Sequence, residues 1–189
     1  MQASCNCVLF QVEYLMNLFP VPVKKEKIRA IGDGPDLVYP CGFFDGATTT
    51  SLGGVGVNIV ISRTHKLSFM LGCGSSTNTR AELLDLWTLL LVAHKMGLPF
   101  LRIYDDSSFI INWANNKASL TSLELNHWCD NTMTLMNGFS WMDIRHVYQE
   151  HNHIADILSK YSLILTPGLL CFSEIFDGSI SKSGEFDLF

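Results

Sequence analysis

A chain of 189 residues with 48% hydrophobic and 11% aromatic side chains has material for one ordinary domain with a real core, which excludes an intrinsically disordered protein. A formal net charge of −5 excludes a polybasic nucleic-acid binder, although residues 37–163 alone carry eight Lys/Arg against ten Asp/Glu. Six cysteines (Cys5, Cys7, Cys41, Cys73, Cys129 and Cys171) show no C-x-x-C pairing, so they read as free thiols in a reducing compartment.

Residues 1–36 form an extension of unassigned role. Within it, run 8–19 has the length of a short amphipathic helix that Pro20 and Pro22 stop, and Gln11, Glu13 and Asn17 make it a poor signal or membrane span. Lys24, Lys25 and Lys27 form a small basic cluster that reads as a solvated linker. The chain is expected to be intracellular, without membrane association, and monomeric.

The folded domain is expected over residues 37–163. Run 38–46 reads as a first strand, and Asp45 interrupts it with a carboxylate that is costly to bury without a cation or donor. Run 54–62, GVGVNIVIS, alternates its branched residues with smaller ones at strand period, and 66–73 supplies a third strand. Links this short require an antiparallel meander.

Thr79 opens a helix to about Met96, with Leu83, Leu86, Leu90 and Ala93 at helical spacing and Gly97 and Pro99 ending it. Run 101–104 is a fourth strand reaching Asp105 and Asp106. Ser107 then caps a short helix, and another helix covers 122–136. A last strand at 141–148 and a last helix at 152–163 complete an α/β domain with a mixed five-stranded sheet flanked by helices. Residues 164–189, with four acids, one lysine and several Gly and Ser, are expected to form a mobile tail.

Each acid at an element end has an ordinary explanation when taken alone. Asp45-Gly46 suits a turn, Thr79-x-x-Glu82 suits a capping box, Asp106 could cap a helix, and Asp156 could complement a helix dipole. Together, an acid on the first strand, the first long helix, the end of a later strand and the last helix would meet over one end of the sheet. Such a cluster needs divalent cations, because neighbouring carboxylates raise one another's pKa.

Four motifs stand in order: Phe44-Asp45-Gly46-Ala47, Thr77-Asn-Thr-Arg-Ala-Glu82-Leu, Asp106-Ser107 after an apolar strand, and Glu150-His-Asn152-x-x-Ala155-Asp156-x-Leu-Ser-Lys160. Over residues 37–163 they make the chain resemble the ribonuclease H family, most nearly the ribonuclease H-like domains of plant retroelement reverse transcriptases. The resemblance implies metal-dependent endonucleolytic cleavage of the RNA strand of an RNA–DNA hybrid, leaving 5′ phosphates. By position it makes Asp45, Glu82, Asp106 and Asp156 ligands of two Mg²⁺ ions, with Mn²⁺ as a substitute. Ser107 and Asn152 match polar family positions that orient ligands, and His151 is the nearest counterpart of a helper histidine. Gly46, Thr48, Asn78 and Thr79 are the candidate substrate contacts, reading 2′-hydroxyls across the minor groove. The resemblance also implies a reverse transcriptase domain as partner if the chain is part of a longer polyprotein. The weak-turnover alternative is a retroelement-derived binding or interaction module.

Asp105 stands where the family usually has glycine. Because successive strand residues face opposite sides, only one of Asp105 and Asp106 is expected in the site, and Ser107 favours Asp106. Residues 115–131 hold Lys117 as their sole formal cation, so no basic gripping helix is expected.

Overall fold

The computed structural model describes residues 38–120 and 122–188. The readings of the N-terminal extension, Cys5 and Cys7 among them, lie outside these residues. Strands β1 (Cys41–Thr48), β2 (Gly53–Val60) and β3 (His65–Gly74) form the expected antiparallel meander. Helix α1 (Asn78–Lys95) follows, then β4 (Phe100–Asp105), α2 (Ser108–Ala114), α3 (Asn126–Asn137), β5 (Trp141–His146) and α4 (His153–Ser162). Strand β4 lies parallel to both β1 and β5.

The sheet has seven strands rather than five, in the order β5-β4-β1-β2-β3-β6-β7. The expected mobile tail is instead a hairpin, β6 (Leu169–Phe176) and β7 (Ser179–Asp187), added antiparallel to β3. Its turn is Asp177-Gly178, both at positive φ, the dipeptide that closes tight hairpins. Leu170 and Cys171 are fully buried, so apolar pairing with β3 outweighs the acidic, Gly- and Ser-containing composition of the segment.

One core packs α1 and α3 on one face of the sheet; Phe44, Val57, Ile59 and Leu71 meet Leu83, Leu86 and Leu90 there. Helix α1 is apolar on more than one side because α3 covers it, and Trp87 meets Trp128 edge-on at 5.1 Å. On the opposite face α4 lies across β1, β2 and β3, with Ala155 in one cluster and Leu158 against Met70 and Cys171 in another. Gly54 and Gly56 explain the small residues in β2. A Cβ at Gly56 would strike the Ala155 carbonyl and the Ser159 amide, and one at Gly54 would strike Ser162, so both glycines let α4 seat directly on the strand.

The helix start differs from the sequence reading by two residues. Thr77, not Thr79, is the cap, its hydroxyl accepting from the Arg80 amide at 3.3 Å. A capping box would need its acid at residue 80, so Glu82 is released from that role. Ser107 occupies the cap position of α2 but makes no side-chain capping bond. No disulfide joins the described cysteines, and burial pushes the Cys41 thiol up to about 11 and the Cys73 thiol up to about 12. Among the described residues no helix is long and apolar enough to cross a membrane.

Candidate metal centre

The parallel pairing of β1 with β4, which sets Phe43 opposite Tyr104, brings Asp45 of β1 level with the acids at and just beyond the end of β4, and α4 crosses over β1. Ligand oxygens of Asp45, Asp105 and Asp106 lie within 4.8 Å of one another. Asp105 therefore joins Asp106 in the cluster, against the expectation that one of them would face away. Pleat alternation holds inside a strand; β4 ends at Asp105, and Asp106 lies in the turn beyond it.

Asn152 ties this group together. Its Nδ2 lies 2.7 Å from the Phe44 carbonyl, 2.9 Å from Asp106 Oδ1 and 3.2 Å from Asp105 Oδ1, three acceptors around two protons. Ser107 donates from its hydroxyl to Glu82 Oε2 at 3.1 Å, so its side chain serves the acid rather than the helix end. Ser159 Oγ lies 2.7 Å from Asp45 Oδ2 and 2.8 Å from the Asp156 carbonyl and shares one proton between them. Asp156, in the first turn of α4, pairs with Lys160 at 2.6 Å across one helical turn.

The electrostatics show an acid cluster short of positive charge. Burial raises the pKa of Asp45, with Asp106 and Asp156 adding to the rise and the Ser159 bond and Lys160 opposing it. Burial likewise raises Glu82, the Ser107 bond opposes this, and the charges of Asp45 and Asp106 add to it. Asp105, only 2% exposed, is pushed up to about 8 by burial and next by Asp106.

Sequence reasoning missed two partners. Ser159 holds Asp45, and its spacing three residues after Asp156, on the same helix face, was the available signal. Asp85 is fully buried on α1 and accepts the Gly56 amide at 3.2 Å on Oδ1, and its Oδ2 has no partner among the described residues. Its burial and the charge of Asp45 hold its carboxyl well above the usual carboxylate range. An acid among Leu83, Leu84 and Leu86, three residues after Glu82, was the sign that α1 turns a second carboxyl inward.

The predicted substrate contacts divide. Gly46 is pressed onto α1, where a Cβ would come within 2.9 Å of the Glu82 amide, so its small size serves helix packing. The Thr48 hydroxyl bonds the Asn78 side chain, joining the end of β1 to the start of α1 at the surface. Thr79 lines an open cleft of about 830 Å³ with Thr50, Ser76, Thr77 and Arg80. Among the described residues His151 makes no hydrogen bond to any of the acids; it lines a separate cavity at the start of α4. His146 instead reaches the site, its Nε2 3.1 Å from the Asp106 carbonyl.

A model of the family described as reverse transcriptase-like matches residues 43–162. The chain belongs to that family. A search of curated sequences finds no match. Among solved structures, this reverse transcriptase-like chain is similar to ribonuclease H1 from the halophilic archaeon Halobacterium salinarum, at 23% identity and TM-score 0.62, over 67% of this chain and 98% of that one. It is also similar to LC11-RNase H1 in complex with RNA/DNA hybrid, at 19% identity and TM-score 0.59, over 65% and 95%. The foamy viral protease-reverse transcriptase bound to RNA/DNA hybrid matches at 16% identity and TM-score 0.53, over 77% of this chain and 23% of that one. These likenesses show the ribonuclease H-like fold. The β6–β7 hairpin lies beyond the matched family residues.

The residues present fit a divalent cation: hard carboxylate oxygens cluster where burial disfavours their charge, and the donors touching Asp45, Glu82, Asp105 and Asp106 include the Ser107 and Ser159 hydroxyls, the Asn152 side-chain amide and the Ser107 backbone amide, all uncharged. A stability test follows from Asp105. Its folded pKa of about 8 exceeds the unfolded carboxyl value of ~3.9. Between these values the folded state holds a proton that the unfolded state has lost, so metal-free stability falls as pH rises. In EDTA, the advantage of Asp105→Asn over the wild type in thermal unfolding is expected to grow from about pH 4 to about pH 8 and then level off. An advantage that shrinks over that range would contradict the assignment.

Proposed function

We propose that the reverse transcriptase-like domain is a divalent-metal-dependent endoribonuclease that cuts the RNA strand of RNA–DNA hybrids. The observation that carries this reading is the cluster of Asp45, Asp105 and Asp106 oxygens within 4.8 Å of one another, with Glu82 near enough to feel the charges of Asp45 and Asp106, and Asp156 near enough to act on Asp45. Asp45, Glu82, Asp106 and Asp156 would hold two Mg²⁺ ions, with Mn²⁺ able to replace them, and Asp105 stands beside them. Bound there, the ions would supply an activated water and charge stabilisation at the phosphate and leaving oxygen.

The chain's own groups prepare that site. Asn152 holds Asp106, Ser107 holds Glu82, and Ser159 holds Asp45, each through a side-chain hydrogen bond of 3.1 Å or less. Lys160 orients Asp156 through an ion pair at 2.6 Å. Thr48 and Asn78, bonded to one another, and Thr79 in the open cleft beside the start of α1 would be the contacts to the hybrid's 2′-hydroxyls. Descent from a retroelement reverse transcriptase, of the plant kind the motifs resemble, belongs to the same proposal.

A second reading, a module that binds nucleic acid without turnover, draws on the Lys160–Asp156 pair, which already neutralises one of the four acids. The deciding experiment is incubation of an end-labelled RNA–DNA hybrid with purified protein in Mg²⁺, beside EDTA and an Asp106→Asn control. Cleavage that both controls abolish establishes the enzyme. Hybrid bound but uncut selects the binding module.

A further inference from the structure

At the start of α4 an open cavity of about 270 Å³ lies on the same sheet face as Asp45. Phe43 of β1, Asn58 of β2, Arg63 and Lys66 around the β2–β3 turn, and His151 and Asn152 before α4 line it, and no acid does. Arg63 and Lys66 form no ion pair among the described residues, whereas Arg102, Arg145 and Lys160 each do. Asn58 is 4% exposed, and its amide makes no hydrogen bond to a described residue. Asn152, fully buried, also lines the cavity, and its Oδ1 has no hydrogen-bond partner among the described residues.

An amide at a core position of an otherwise Val- and Ile-rich strand is costly unless something bonds it. What would satisfy this wall must be anionic enough for two unpaired cations and a helix N-terminus. It must also offer donors and acceptors to buried amides, and present a flat apolar face to Phe43. Asparagine amides suit the polar edge of a purine, and aromatic rings suit its face.

We propose that this cavity binds a nucleoside 5′-phosphate unit. The phosphate lies between Arg63 and Lys66 at the first turn of α4, and the base lies on Phe43 with its edge toward Asn58. The unit comes either from a free nucleotide or from the 5′ end of a strand. The site needs neither metal nor turnover, so it stands or falls apart from the cleavage reading.

The test is calorimetric titration of the full chain in EDTA with adenosine 5′-monophosphate, inorganic phosphate, and a tetranucleotide with and without its 5′ phosphate. Saturable binding of the monophosphate is expected, weakened about tenfold or more in Arg63→Ala/Lys66→Ala, since each loses a charge-assisted contact. Asn58→Leu, its fold checked by circular dichroism, should weaken the monophosphate while leaving inorganic phosphate unchanged. A 5′-phosphorylated tetranucleotide that binds more tightly than both its unphosphorylated form and the monophosphate assigns the site to a strand end; equal affinity with the monophosphate assigns it to the free nucleotide. Absence of saturable monophosphate binding, or equal binding by the double variant and the wild type, overturns the proposal.

Discussion

Asp45→Asn is expected to lower Mg²⁺-dependent hybrid cleavage by about a thousandfold or more, the loss of on the order of 4 kcal/mol of transition-state stabilisation when one proposed ligand is removed. The same substitution should raise the metal-free melting temperature. Burial raises the Asp45 pKa, and the charges of Asp106 and Asp156 raise it further, so the ionised side chain at neutral pH opposes folding. Asparagine keeps an oxygen for the Ser159 hydroxyl, now 2.7 Å from Asp45 Oδ2, while removing that charge. Activity and stability therefore move in opposite directions, the signature of a group placed for function. Parallel cleavage assays and thermal unfolding in EDTA check both halves. A variant that loses both activity and fold would show instead that Asp45 serves β1 as a structural residue.

The candidate site was legible where an acid sits at the end of a strongly patterned element. Asp106 follows β4 and Asp45 interrupts the apolar run of β1, and the parallel β1–β4 pairing brings these two acids together at one end of the sheet. The capping-box reading of Glu82 needed a helix starting two residues later than it does; with Thr77 as cap, the Glu82 carboxyl turns to Ser107. Asp105 was misplaced because the alternation rule was carried one residue past the end of β4. Asp85 was not visible because its burial depends on Gly46, whose missing side chain lets β1 approach α1 closely. The hairpin was written in the sequence as an apolar run, Asp177-Gly178 and a second alternating run. Its charge and Gly/Ser content favour a mobile tail, yet composition averaged over a segment loses the order that distinguishes a strand from a linker.

Removal of that hairpin, by ending the chain at residue 166, is expected to cost on the order of 3–5 kcal/mol of stability, a large part of the 5–15 kcal/mol typical of a domain. Strand β6 buries Leu170 and Cys171 fully and covers β3, where Phe69, Met70 and Leu71 are buried. Each such side chain returned to water loses roughly 1.5–3 kcal/mol, offset in part by the regained freedom of the hairpin itself. Truncation would also leave β3 as a long apolar edge, a template for aggregation. Urea unfolding of the two chain lengths measures the loss, and Leu170→Ala, expected to cost about 2–5 kcal/mol, tests the same packing without exposing the edge. Equal unfolding midpoints would make the hairpin an appendage to a domain that is complete at α4. The consequence reaches the acids through α4: Leu158 packs against Met70 and Cys171, and one residue later Ser159 holds Asp45. A loosened β3 edge should therefore weaken divalent-cation binding as well as stability, even though no residue of the hairpin touches the cluster.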